Sequence, residues 1–427
     1  MRFPLLLLFF SLCCSSVLLY GQNNFSSYFT DGAIRYDFEL AGNADTVFAY
    51  KVQSKKLPSW GGNPAVLIES LDYGTCRYSV FSAFNSELIF RKGFSPLFWE
   101  WQSTAEARHR MRSFYHALYF PVPLNDVIIR IDTRKADNQW MEIFSDTLKQ
   151  DDYFIIDEEM RSAAIDTLLH SGTAAQKIDL MILAEGYRAD EMEKFRTDAQ
   201  RMTEYLFNSE PFGKHRQRFN VYAMNTVSLE SGTDIPGERI YRNTAFNSHF
   251  YTFDSPRYLT TTDMKPVYDA LDGVGWDHIY ILVNHERYGG GGFYNFFSLC
   301  SSDNERSPFV FCHEFGHSFA GLGDEYYTSA TSYESFYQLT AEPWEPNLTT
   351  LIDFESKWKE MLSNDTPVPT PREERYKQGV GVFEGGGYVA RGIYSPVMSC
   401  WMKEHTAGAF CPVCQKAIER VILLQSE

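Results

Sequence analysis

The sequence predicts an all-β sandwich followed by a larger α/β (α+β) domain, with a twisted mixed sheet and one helix that carries the chemistry. Three observations lead there. Residues 23–150 hold alternating and β-branched runs cut by turn signals. Beyond Ser171-Gly172-Thr173, short apolar runs alternate with helically spaced ones, an order that implies a sheet with covering helices. The second part also holds His313-Glu314-Phe315-Gly316-His317, whose two histidines a helix brings onto one face.

The chain of 427 residues begins with Met1-Arg2 and an apolar run over 5–19, closing at Gly21. A basic start, an apolar middle and a small exit residue describe a secretory signal peptide over 1–21, with cleavage expected after Gly21. The stretch is short for a membrane anchor. Cys13 and Cys14 lack the small residues that precede a lipid-modified cysteine. A secreted, periplasmic or cell-surface protein is expected. No later apolar run approaches membrane length, so no transmembrane segment is expected after signal removal. About 400 residues remain, room for two or three domains. The expected division is a β-sandwich over 22–165 and a second domain over 170–427. With 44% hydrophobic and 16% aromatic residues, core formation is assured. A net charge of −16 argues against a nucleic-acid partner.

In the first part, 34–40 places apolar residues at even positions and charges at odd ones, the pattern of a half-buried strand. Further strands are expected over 46–52, 77–84 and 127–132, with Gly61-Gly62-Asn63-Pro64 as a turn. Neither ligand spacing nor a nucleophile motif occurs here, so a structural or docking role is expected. In the second part, 178–184 reads as a buried strand, and 190–207 as a helix with Asp190 at its N-cap. A strand over 219–227, a helix over 258–271 and a strand over 278–283 follow. Gly289-Gly290-Gly291-Gly292 is not followed by Gly-Lys-Ser/Thr, so it is no phosphate loop. It reads as a turn feeding an edge strand over 293–302, whose free backbone groups suit an extended peptide. Beyond 327 a helix over 351–362 and a tight loop over 379–388 are expected, with Glu384 read as a solvated loop acid.

The chemistry concentrates in 312–326. His313 and His317 can point two imidazoles at one ion, and Glu314 can lie beside the water that fills an open coordination position. Gly321 can end the helix in a left-handed turn. Asp324 then returns as a third ligand, with Glu325 the alternative; Tyr326 either donates a hydrogen bond near the site or packs there. In Ser395-Pro396-Val397-Met398-Ser399-Cys400-Trp401-Met402, Met398 is the first choice and Met402 the second for an apolar floor under the ligands. Cys411-Pro-Val-Cys414 opens a helix over 415–424. A structural disulfide from Cys400 to Cys411 or Cys414 is expected, because a four-cysteine zinc site lacks local ligands. Cys300 and Cys312 are either paired or buried thiols.

Several stretches together resemble the immunoglobulin-A peptidase family of secreted zinc metallopeptidases. They are Ala184-Glu-Gly-Tyr-Arg188, Pro211-Phe212, Arg218-Phe-Asn-Val221, the 313–326 block, Val380-Gly-Val-Phe-Glu-Gly385 and Phe410-Cys-Pro-Val-Cys414. The resemblance spans most of 175–427, and the first part looks like the β-rich domain that precedes the catalytic one in this family. It implies a zincin-like fold and peptide hydrolysis, with ligands His313, His317 and Asp324 and Glu314 as catalytic acid. Metzincin-type zincins set Gly and the third ligand one residue closer to the second histidine than here. Tyr326, or an edge-strand amide, is expected to support the oxyanion. The expected partner is a protein or peptide substrate. An extracytoplasmic binding protein with an inert metal site, or a cell-wall peptide amidase, are the competing readings, and the intact Glu314 speaks against the first.

Overall fold

The computed structural model describes residues 25–159, 164–327 and 337–426. The signal peptide expected over 1–21, with Cys13 and Cys14, lies outside the described residues. None of the helices described is long and apolar enough to cross a membrane.

After a single turn, α1 (Phe25–Tyr28), the first part is built of β1 (Phe29–Gly42), β2 (Val47–Leu57), β3 (Cys76–Ser82) and β4 (Leu88–Phe94). A short helix, α2 (Leu97–Gln102), precedes β5 (Arg112–Pro123), β6 (Val127–Arg134), β7 (Trp140–Leu148) and β8 (Ile155–Asp157). Two four-stranded sheets result, in the orders β5-β1-β2-β8 and β4-β3-β6-β7. Tyr36, Phe38 and Leu40 of β1 meet Tyr78, Val80, Ile129 and Ile131 of the facing sheet in one buried cluster.

The other face of β1 departs from expectation. Arg35 and Asp37 are wholly buried instead of facing water. Arg35 bonds Asp37 at 2.7 Å and reaches across to Asp269 at 2.8 Å and Asp272 at 2.9 Å. Lys55 joins Asp272 at 2.7 Å and Glu158 at 2.8 Å. The charged face of the strand is therefore covered by the second part of the chain, and each buried charge is paired.

That second part begins with β9 (Ile165–Leu169) and β10 (Ile178–Glu185), followed by α3 (Met192–Phe207), β11 (Phe219–Met224), α4 (Met264–Leu271) and β12 (His278–Val283). The hairpin β13 (Gly290–Phe293) and β14 (Phe297–Ser301) leads into α5 (Ser307–Ala320). A second hairpin, β15 (Phe383–Gly386) and β16 (Val389–Ser395), and α6 (Pro412–Gln425) complete the described elements. The main sheet runs β13-β14-β12-β10-β11-β9. Its four inner strands are parallel, and β9 and β13 close its edges antiparallel.

Residues of β10 alternate between two cores. Leu180, Ile182 and Ala184 join α3, α5 and α6, whereas Met181 and Leu183 join α4 and the sandwich. One core thus spans both parts of the chain. On α5, Phe311, Phe315 and Phe319 form an i, i+4 stripe, and Phe311 stacks on Tyr280 at 3.9 Å. Each such buried ring contributes about 1.5–3 kcal/mol. The stripe fixes the roll of α5, so that His313, Glu314 and His317 face away from the sheet's core.

Four local expectations change. The 3-10 turn leading into α3 is capped by Arg188 and Glu191, whose carboxylate accepts from the Arg188 N–H, and not by Asp190. The edge strand is Gly290–Phe293 itself, with the 297–301 stretch one place further in. Residues 351–362 form only two 3-10 turns, Phe354–Ser356 and Lys359–Met361, because their apolar residues lack a continuous face. The tight loop over 379–388 is half of the β15–β16 hairpin, with Glu384 exposed.

Candidate metal centre

Helix α5 ends at Gly321, at φ +62°, whose N–H returns to the carbonyls of Gly316 and His317. An L side chain there would be strained, and its Cβ would meet Trp344 at 2.6 Å. The turn brings the chain back so that Oδ1 of Asp324 stands 3.2 Å from Nε2 of His313 and 3.4 Å from Nε2 of His317. The two Nε2 atoms are 3.2 Å apart.

Each imidazole is oriented by its other nitrogen. Nδ1 of His313 lies 2.8 Å from the Trp401 carbonyl, and Nδ1 of His317 lies 2.5 Å from the Leu322 carbonyl. A carbonyl only accepts, so both Nδ1 atoms carry protons and both Nε2 atoms can present lone pairs. Oδ1 of Asp324 is buried without a hydrogen-bond partner among the described residues. Three electron-rich atoms in mutual contact call for a cation between them. Donors about 2.0–2.1 Å from a tetrahedral zinc stand roughly 3.3–3.4 Å apart, close to the spacing found. The residues therefore fit a metal. Burial lowers the His317 pKa, but the negative charge of Asp324 outweighs it and raises the value to about 9, so a metal competes with a proton for Nε2.

Glu325, the alternative ligand, turns the other way. Its Oε1 lies 3.1 Å from the Cys414 sulfur and 3.1 Å from the amide of Asn347, behind the imidazole pair. Tyr326 faces the cleft, its ring edge-on to Tyr388 at 5.3 Å. Tyr388 donates to Oδ2 of Asp324 at 2.5 Å. Glu314 lines the same cleft beneath Gly290, where an added Cβ would meet its Oε1 at 2.9 Å. Burial pushes the Glu314 carboxyl up, against the pull of the nearby imidazoles.

The cleft holds about 830 Å³. One wall is β13; Trp99 and Glu100 of α2 and Arg134 of β6 line another part. The sandwich thus shapes the cleft as well as supporting the fold. Along the outer side of β13, the pairing found among the described residues is a single bridge from Tyr258 to Gly290. Met402, the second choice, packs under α5, where a Cβ on Gly316 would lie 3.1 Å from its sulfur; Met398 is half-buried outside this core.

Sequence reasoning missed Tyr388 and the carbonyls of Leu322 and Trp401. Gly385-Gly-Gly-Tyr388 hints at a turn that re-aims a ring, but a backbone carbonyl has no residue-type signature. None of the six described cysteines is in a disulfide, so the expected bridge from Cys400 is absent; Cys400 and Cys414 are 3.8 Å apart at sulfur.

A family model described as IgA Peptidase M64 matches residues 167–377 and 372–422. A second, described as Peptidase M64 N-terminus, matches residues 24–145. No curated protein matches the chain. The first match encloses α5, the loop that returns Asp324, and Tyr388, and the second covers the sandwich strands β1 to β6; the chain belongs to the IgA peptidase M64 family.

Proposed function

We propose that the protein is an exported, zinc-dependent endopeptidase of zincin-like fold, acting on extended protein or glycoprotein segments. The family supports peptide hydrolysis. Export rests on the signal-like run over 1–21. The observation that carries the metal reading is the contact of Nε2 of His313, Nε2 of His317 and Oδ1 of Asp324, with both Nδ1 atoms committed to carbonyls.

When bound, zinc lowers the pKa of its water toward about 7 and polarises the scissile carbonyl. The chain supplies the rest. Trp401 and Leu322 hold the imidazoles in one tautomer, and Tyr388 holds Asp324. The backbone of Gly291–Phe293 lines the cleft at the sheet's edge, which supports pairing with an extended substrate. Glu314 takes a proton from the attacking water at its carboxylate and passes it to the leaving amine. Tyr326, which lines the same cleft, would donate to the developing oxyanion.

The test is Glu314→Gln in the full chain. Metal content should stay unchanged while hydrolysis of an unstructured protein substrate falls by about 10²–10⁴-fold. Turnover at the wild-type rate would remove Glu314 from the reaction. Proteolysis that survives exhaustive chelation would remove the metal.

A further inference from the structure

We propose that Glu325, Cys400, Cys411 and Cys414 form a second, structural zinc site directly behind the His313 centre. All four side chains are buried, and one donor atom from each lies within 4.8 Å of every other. The sulfurs of Cys400 and Cys414 are 3.8 Å apart, and Cys414 lies 3.1 Å from Oε1 of Glu325. Thiolates about 2.3 Å from a tetrahedral zinc stand roughly 3.8 Å apart, whereas a disulfide needs about 2.05 Å.

Backbone geometry points the same way. N–H groups of Met402 and Cys411 aim at the Cys400 sulfur at 3.4 and 3.2 Å, and the N–H of Cys414 aims at Cys411 at 3.5 Å. Donors turned toward sulfur favour thiolate over thiol. Cys411 caps the fourteen-residue α6, so the positive end of that helix faces the cluster as well. Oε1 of Glu325 is the oxygen that faces the sulfurs, 3.1 Å from Cys414 and 3.9 Å from Cys411. The charge of Lys403, held by Ser395 and Val397, acts on Glu325, Cys400 and Cys411 and offsets part of the excess negative charge.

Three sulfurs and one carboxylate in a closed, dry arrangement describe a structural zinc site, which lacks the open position a reacting water needs. Sequence reasoning dismissed such a site because the fourth ligand is not local: Glu325 comes from 75 positions before Cys400. The location gives the ion a task. Glu325 follows Asp324, and its N–H donates to the Met402 carbonyl at 2.7 Å. Trp401, between Cys400 and Met402, supplies the carbonyl that orients His313. A second ion would clamp together the two backbone segments that set the geometry of the first.

The experiment is metal analysis of the full chain, with cobalt(II) substitution. Wild type should hold about two zinc ions and His317→Ala about one; both should show a thiolate-to-cobalt charge-transfer band, which nitrogen and oxygen ligands do not produce. Cys414→Ser should lose the band. Because that variant also risks misfolding, the wild type and His317→Ala decide the matter. One zinc ion in wild type with no thiolate band overturns the proposal, as does a Cys400 disulfide in unreduced peptide maps. Loss of all metal from His317→Ala likewise refutes an independent second site, and none of these results bears on the role of Glu314.

Discussion

Tyr388 acts on the candidate centre through one atom, its hydroxyl on Oδ2 of Asp324. That bond holds Oδ1 toward the imidazoles, and groups that orient metal ligands typically carry 10–100-fold in affinity. Tyr388→Phe keeps the ring against Tyr326 and removes only this hydroxyl. Metal affinity, read by competition with a chelator, should fall by about 10–100-fold with little change in melting temperature. Unchanged affinity would mean that Tyr326 and the backbone hold Asp324 in place without this hydroxyl. At this scale the sequence was readable where chemistry and chain order coincide. His313, Glu314, His317, Asp324 and Tyr326 sit in one short block, and a helix plus a turn brings them together. Asp324 and Glu325 could not be told apart, because neighbouring residues in an extended segment point opposite ways and either fits the reach. Tyr388 and the two carbonyls come from distant or backbone positions that no spacing rule encodes.

Strand β13 was concealed for a different reason. A strand is ordinarily recognised by side chains that alternate, and Gly290-Gly291-Gly292 has none. Its identity comes from close approach to α5: a Cβ on Gly292 would stand 2.2 Å from the carbonyl oxygen of Glu314. Backbone cannot yield cheaply, so Gly292→Ala must push strand and helix apart. Displacing Glu314 or the cleft wall by about 1 Å costs roughly 100-fold in rate. We expect kcat/KM to drop by at least that factor, with about 1–3 kcal/mol lost in stability by denaturant unfolding. Wild-type activity in this variant would show that the cleft tolerates a wider strand–helix gap. Elements with a continuous apolar face, such as α3 with Met192, Phe195, Ala199, Met202 and Leu206, were legible. Residues 351–362 were not, since their aromatics Phe354 and Trp358 pack from separate turns.

On the scale of the whole molecule, the two parts of the chain are joined by a shared core and a buried ion network, and both leave a measurable signature. The alternation over 34–40 looks half-solvated in sequence because charge usually marks a wet face; here α4 supplies the counter-charges. Arg35→Met would strand Asp37, Asp269 and Asp272 without their guanidinium, an expected loss of about 3–5 kcal/mol in a single cooperative unfolding transition. Separate transitions for the two parts would contradict a common core. The same interface predicts acid sensitivity. His116 of β5 is buried against Phe38, Phe94 and, across the junction, Phe296 at 4.7 Å, and its Nε2 has no partner among the described residues. Burial pushes its pKa from the ordinary 6.5 down to about 3. The folded chain keeps this ring neutral while the unfolded chain takes a proton below about pH 6.5, so the unfolded state binds more protons in between. Stability should therefore be complete above pH 6.5 and fall toward pH 3, with about 2 kcal/mol of the loss at pH 5 due to this group. Replacing it in His116→Leu should remove that share: the drop in unfolding free energy between pH 7 and pH 5, measured in urea, should be about 2 kcal/mol smaller than in wild type. Equal drops in the two proteins would mean that His116 takes up its proton without unfolding, and that the junction between sandwich and sheet opens to water.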